Sequence, residues 1–266
     1  MRHATRIVSV GALALVIMLA GRPAAAETIV TFVTNLGAFD VQLFDTQAPT
    51  TVQNFLNYVN DGRYTNTFFH RTTTYNAAFN QIVQGGSFGY TGSSFFAVST
   101  GEPIPLKAGL SNVRGTIAMA RTNAPNSATS GWFFNVQDNS AAYDPATGND
   151  GYAVFGEVIG DGMQVIDLIA SLPYADINDM ILGPPDPQNP LQPRPFGNVP
   201  LYPLGDNTYA LALVENVVAV PEPTALALAL SALVGIAALR RRILEASPSR
   251  SRVPLSMATE TVAPRA

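Results

Sequence analysis

A chain of 266 residues, 47% hydrophobic and only 13% charged, can bury a substantial core and is not a disordered polyelectrolyte. Fifteen Lys and Arg against nineteen Asp and Glu leave a net charge of −4. They form no basic stripe of the kind that neutralises phosphates, so nucleic acid is not an expected partner. Cysteine is absent, which excludes disulfides, thiolate metal sites and cysteine nucleophiles.

At the start, Arg2, His3 and Arg6 precede the apolar run Ile7 to Ala20, and Ala24-Ala25-Ala26 stands before Glu27. Basic flank, apolar stretch and small residues in that order predict a secretory signal over residues 1–26. The remainder is therefore expected to be exported.

From Glu27 to Val218 the pattern is that of one β-rich domain. Ile29 to Val33 and Phe39 to Leu43 alternate with period two about Asn35-Leu36-Gly37, which predicts a hairpin. Val52, Phe55, Leu56 and Val59 recur at helical spacing, with Pro49 and Thr50 at the entry and Gly62 at the exit, which predicts an amphipathic helix. Further strands are predicted at Ile82 to Gln84, Thr116 to Ala120, Trp132 to Val136, Ala153 to Val158 and Leu211 to Val218, with a second helix at Met163 to Ala170. The proline-rich stretch Pro173 to Asp206 reads as one long surface loop. Many short strands with two helices suggest a closed barrel, because closure removes unpaired edges.

Beyond the domain, Val220-Pro221-Glu222-Pro223 leads into an apolar run, Thr224 to Leu239, then Arg240-Arg241-Arg242. Those sixteen residues reach roughly 24 Å as a helix, short of a hydrocarbon core of about 30 Å. The segment is a marginal anchor whose arginines would stay cytoplasmic, in agreement with export of what precedes them. Residues 219–242 resemble the PEP-CTERM sorting signal of Gram-negative bacteria. That resemblance implies handling by exosortase-like sorting machinery and a location in the periplasm or at the cell surface, with transient or permanent membrane anchoring. Residues 243–266, rich in Ser, Pro and Arg, read as a disordered tail.

The chemistry narrows by exclusion. His70 is the only histidine after residues 1–26, so any serine triad would depend on it. Gly85-Gly86-Ser87-Phe88-Gly89 has the Gly-x-Ser-x-Gly spacing of a nucleophile elbow, but spacing alone does not make one, and hydrolysis is not the expected chemistry. The nearby glycines form no phosphate cradle. Asp144, Asp150 and Asp161 occupy Gly- and Pro-rich turns, where turn and cap roles outweigh metal binding.

What remains is Arg71 in an apolar setting, in Phe69-His70-Arg71, with Ile82-Val83-Gln84-Gly85-Gly86 further on. Gly115-Thr116-Ile117-Ala118-Met119-Ala120-Arg121, Asn126-Ser127-Ala128-Thr129-Ser130 with Phe133, and Tyr152-Ala153-Val154-Phe155-Gly156 follow in order. Together these runs resemble the signature of the cyclophilin-type peptidyl-prolyl isomerases. The resemblance implies a mostly β fold, a closed eight-stranded antiparallel barrel with two capping helices. It also implies cis/trans isomerisation of X-Pro bonds in proline-containing polypeptide segments, without metal, cofactor or covalent intermediate.

By the same resemblance Arg71 would stabilise the twisted amide and Gln84 would hold the substrate carbonyl. Ile82, Phe133 and Tyr143 would form the apolar floor and walls. Ala120, Arg121 and Thr122 would pair with the substrate backbone, Tyr152 would stand at the pocket, and His70 would be structural. The chain departs from the family at several points. Twelve residues, Thr72 to Val83, separate Arg71 from Gln84, more than the family places there. The family's pocket phenylalanine aligns with Gln81, and Phe79, two residues earlier and so on the same strand face, is the expected replacement. Gly131 stands where a glutamine is usual, and Ala142 where an aromatic is usual. These departures leave a second reading, a catalytically weak proline-peptide binding module or surface matrix protein on the same fold.

Overall fold

Period-two alternation sets the framework. Ile29–Thr34 (β1) and Gly37–Leu43 (β2) form the expected hairpin, with Thr34 opposite Gly37. Val30, Phe32 and Thr34 turn inward on β1, and Phe39, Val41 and Leu43 on β2. The structure, a computed structural model, describes residues 27–73, 81–183 and 194–220. The segments expected to act as export signal, sorting signal and tail lie outside those residues, except for Ala219 and Val220.

Pro49–Asn60 (α1) has proline in its first turn, where the missing N–H has no partner to lose. It buries Val52, Phe55, Tyr58 and Val59. The chain then forms Thr67–Phe68 (β3), Arg71–Thr72 (β4), Ile82–Gly85 (β5), Phe88–Tyr90 (β6), Phe95–Ala97 (β7), Thr116–Met119 (β8) and Trp132–Asn135 (β9). One helical turn, Ser140–Tyr143 (α2), leads to Val154–Ile159 (β10) and to Met163–Ser171 (α3), the second expected helix. After these come Tyr174–Ala175 (β11), Asn178–Leu182 (α4), Val199–Gly205 (β12), Thr208–Leu211 (β13) and Leu213–Val220 (β14).

The fold is mostly β, with a curled antiparallel sheet at its centre. Eleven strands pair in the order β4-β5-β9-β8-β10-β2-β1-β14-β3-β6-β7, rather than the eight expected. The curl is visible in the connectivity: β3 pairs with β14 and β4 with β5, yet only Phe69 and His70 separate β3 from β4 in the chain. Phe32 sits at the centre of the enclosed core, with its ring 5.0 Å from Phe39, 5.2 Å from Trp132 and 5.5 Å from Phe134. On β1 and β14 the pairing continues to Ile29 opposite Val220, so the domain's last strand runs two residues past the expected end at Val218.

The stretch 173–206 is not one loop. It holds β11, α4 and β12, and β12 pairs with β13 in a separate three-stranded sheet. Asp206 and Asn207 turn that hairpin with φ of 48° and 59°, a left-handed pair that Asp and Asn tolerate and that matches strand twist. Prolines at 200 and 203 disguise β12 in the sequence. Proline survives there because β11 reaches only Val199 and Pro200, which leaves Pro203 on an open edge.

Trp132 dictates the glycine pair. A Cβ on Gly85 would lie 2.5 Å from Trp132 Cη2, and one on Gly86, whose φ is +78°, would lie 2.4 Å from Trp132 Nε1. Gly85→Ala is expected to cost about 1–3 kcal/mol by overpacking. The loss should shrink when Trp132→Phe removes the outer indole ring. Urea denaturation of both single variants and the double variant measures this coupling, and strictly additive losses would contradict it.

Candidate active site

Antiparallel register places the candidate residues before any side chain is considered. Arg71 on β4 is directly opposite Gln84 on β5, Gln84 is opposite Phe133 on β9, and Phe133 is opposite Ala118 on β8. Residues directly opposite one another share a sheet face, so these four form one row. Ile82, two before Gln84, joins the same face. The other face of β9 carries Trp132 and Phe134 into the main core. Phe133 instead belongs to a small outer cluster with Ile82, Ala118 and Val154, against which Ala120, Tyr143 and Tyr152 pack. All four residues of β9 are buried because both of its faces are covered.

Arg71, Ile82, Gln84, Ala120, Arg121, Phe133, Tyr143 and Tyr152 line one cavity of about 90 Å³. Phe133 forms its floor, edge-on to Tyr143 and Tyr152 at ring distances of 5.7 and 5.3 Å. Arg71 donates from Nη1 to Gln84 Oε1 at 3.3 Å. Arg121 is held in place rather than free: its guanidinium lies 4.9 Å from the Tyr152 ring centre, and Nε donates to the Gly151 carbonyl.

Thr122 does not line the cavity. Its amide and its hydroxyl both bond to Ser127 Oγ, at 2.9 and 2.8 Å. The Ala120 amide donates to the Gly131 carbonyl. Of the three residues expected to pair with a substrate backbone, Ala120 and Thr122 thus have their amides committed within the chain. Phe79 lies outside the described residues.

The long segment between Arg71 and Gln84 leaves their register intact. Thr72 pairs with Val83, Thr73 N–H donates to the Ile82 carbonyl, and Ile82 N–H donates to Thr73 Oγ1. The hairpin pairing therefore extends to Thr73 and Ile82. At Gly131 a Cβ would lie 2.6 Å from Ser87 Oγ, so the serine hydroxyl fills the space a longer side chain would need.

Sequence reasoning missed a buried amide network behind the wall. Asn135 Nδ2 donates to Asn112 Oδ1 and Thr116 Oγ1, and Asn139 Nδ2 donates to Asn135 Oδ1. Asn112 Nδ2 donates to the Tyr143 carbonyl and to Asp144 Oδ1. This network ties the one-turn helix α2, and with it Tyr143, to β8 and β9. Burial raises the Asp144 pKa, but hydrogen bonds from Ser111 and Asn112 outweigh it and hold the carboxyl below its usual range. The Asp144 carboxyl thus ties the end of α2 to Ser111 and Asn112, distant in the chain, rather than capping its own turn.

His70 is buried between the Phe68 and Phe88 rings, at 6.4 and 5.0 Å. Burial first, and the neighbouring Arg71 charge second, push its pKa down from 6.5 to about 3. A neutral, enclosed imidazole suits a structural role. Between those two pH values the unfolded chain binds a proton that the folded chain refuses. The stability His70 confers is therefore complete above about pH 6.5 and falls by about 1.4 kcal/mol per unit as the pH drops towards 3. Asp138, Asp144 and Asp176 are held below the usual carboxylate range, so their titration falls below that of an ordinary carboxylate. Wild type is expected to lose about 2 kcal/mol between pH 7 and 5 that His70→Gln does not lose. Urea denaturation at the two pH values checks this, and equal losses in both proteins would contradict it.

Residues 29–186 match the family model described as Cyclophilin type peptidyl-prolyl cis-trans isomerase/CLD. The chain belongs to this family. It is 43% identical over 152 residues to the peptidyl-prolyl cis-trans isomerase of Acinetobacter baylyi, an alignment covering 56% of this chain and 76% of that one. It is 45% identical over 145 residues to peptidyl-prolyl cis-trans isomerase B of Escherichia coli, covering 53% and 83%. A crystal structure of a Cryptosporidium parvum cyclophilin type peptidyl-prolyl cis-trans isomerase aligns with a TM-score of 0.49 at 20% identity, covering 74% of this chain and 99% of that one. The enzyme class is peptidyl-prolyl cis-trans isomerase. Strands β12 to β14 lie beyond the family match, although β14 pairs with β1 inside it.

Proposed function

We propose that this isomerase rotates X-Pro bonds of polypeptide segments held against Phe133, with Arg71 and Gln84 as the polar groups that act on the twisting amide. The observation that carries this reading is the row Arg71, Gln84 and Phe133 on three adjacent strands, lining one cavity of about 90 Å³.

Rotation breaks amide resonance, against a barrier of about 18–20 kcal/mol. In the twisted state the proline nitrogen becomes pyramidal and exposes a lone pair. A guanidinium N–H can then donate to it, a hydrogen bond unavailable in the planar ground state and therefore selective for the transition state. Gln84 offers an amide N–H to the carbonyl of the preceding residue, and its Oε1, by accepting from Arg71, aims the guanidinium across the cavity. No bond is made or broken, so no nucleophile or general base is required. His70, buried and neutral, takes no part in proton transfer. A proline-peptide isomerisation assay on the purified protein tests the reading, and a rate no faster than the uncatalysed one would reject it.

The clients we propose are exported chains. Support comes from the order of basic, apolar and small residues before Glu27, and from Pro-Glu-Pro, an apolar run and three arginines after β14. Among the described residues no helix is long and apolar enough to cross a membrane, so anchoring, together with any exosortase-like processing, would rest on the segment after Val220. Fractionation of cells expressing the tagged chain tests this, and recovery solely from the cytoplasm would refute it.

A further inference from the structure

A second recess, of about 390 Å³, opens on the other side of Arg71 and Gln84, lined also by His70, Arg194 and Asn198. Its outer wall comes from beyond the family match, which ends at residue 186. Two contacts fix that wall. The Thr72 amide on the outer edge of β4 donates to the Asn198 carbonyl at 2.8 Å, and the buried Phe196 ring packs 6.0 Å from Phe68 and 4.7 Å from Phe88. Asn178 Oδ1 further accepts from the Phe196 amide at 2.9 Å. Arg194, two residues before this anchor, is thereby set beside the catalytic row.

Arg194 is only half committed. Nη2 bonds to Asp179 and to the Gly183 carbonyl, while Nη1 has no hydrogen-bond partner among the described residues. A buried N–H without a partner is an unmet donor, which an incoming acceptor would satisfy. Arg71 and Arg194 thus give the recess two guanidinium groups, and no carboxylate is among the described residues that line it. The imidazole of His70 adds no charge near neutrality.

We infer that the recess bounded by Arg71, Arg194 and Asn198 is a specificity subsite for an acidic side chain flanking the X-Pro bond, with Arg194 as its determining residue. This rests on the isomerase reading above and adds a substrate preference to it. Proline peptides carrying Glu, Gln or Lys at each position from two before to two after the proline provide the test. At low salt one Glu position is expected to raise kcat/KM over its Gln counterpart about three- to tenfold, as suits a partly exposed charge-assisted contact, and added salt should erode the gain.

Arg194→Gln should bring that ratio close to one, and Arg194→Glu should shift preference to the Lys peptide. Asp179→Asn breaks the same ion pair but keeps the guanidinium, so it should preserve or raise the Glu preference, whereas a purely structural role would make it mimic Arg194→Gln. Should Arg194→Gln fail to fold, wild type and Asp179→Asn still decide the matter. No turnover of any peptide would reject the isomerase reading itself. Turnover with no Glu gain at any position, or a gain that survives Arg194→Gln or disappears in Asp179→Asn, would overturn the subsite alone.

Discussion

Arg71→Ala is expected to lower kcat/KM for X-Pro isomerisation about a hundredfold, the equivalent of roughly 3 kcal/mol of charge-assisted hydrogen bonding made only in the transition state. The fold should be nearly indifferent. Arg71 is exposed and its guanidinium donates to Gln84 at 3.3 Å, so the stability change should stay within about 0.5 kcal/mol. Arg71→Lys keeps the charge but loses the planar fork that reaches Gln84 and the amide nitrogen together, and should recover only part of the rate. Because the interaction belongs to the twisted state, the loss should appear in kcat with little change in KM. A protease-coupled peptide assay with parallel thermal melts separates these effects. Activity in Arg71→Ala within twofold of wild type would remove Arg71 from the mechanism.

How far the sequence carried this picture depends on the range of the contacts involved. Hairpin β1–β2, helices α1 and α3, and the central strands were legible because each writes its own period: Val30 and Phe32 alternate, and Val52, Phe55 and Val59 recur at helical spacing. The candidate site was legible because its residues sit in ordered runs, Phe69-His70-Arg71 and Ile82 to Gly86 among them. Strands β11 and β12 were not, since prolines at 200 and 203 mask a strand whose tolerance of proline depends on how short its partner is. The amide network was equally hidden. Asn112, Asn135 and Asn139 are ordinary polar residues in sequence, and only the packing of α2 against β8 and β9 gives them partners. Arg194 was invisible for the same reason: nothing local predicts that a proline-rich segment returns to the outer edge of β4. The commitment of the Thr122 amide to Ser127 likewise depends on a loop closing over five residues, which the resemblance did not describe.

Phe133 and Phe134 offer the sharpest test, since adjacent positions on one strand serve opposite faces. Phe133 is 2% exposed and Phe134 fully buried, so truncating either to Ala should cost about 3–5 kcal/mol. The stability loss alone does not distinguish their roles. Leucine does, because it retains most of the apolar volume while removing the flat ring. At Phe134, among the rings of Phe32, Phe39 and Trp132, Phe134→Leu should weaken the fold through lost ring packing but leave KM unchanged. At Phe133 the ring is the cavity floor, held upright by Tyr143 and Tyr152. Phe133→Leu should therefore raise KM for proline peptides about tenfold, the equivalent of about 1.4 kcal/mol of lost ring contact, for a comparable stability loss. Steady-state kinetics and urea denaturation of both variants measure the two axes independently. Equal KM changes at 133 and 134 would mean that proline does not bind on the outer face of β9, and the cavity bounded by Arg71 and Gln84 would lose its assignment.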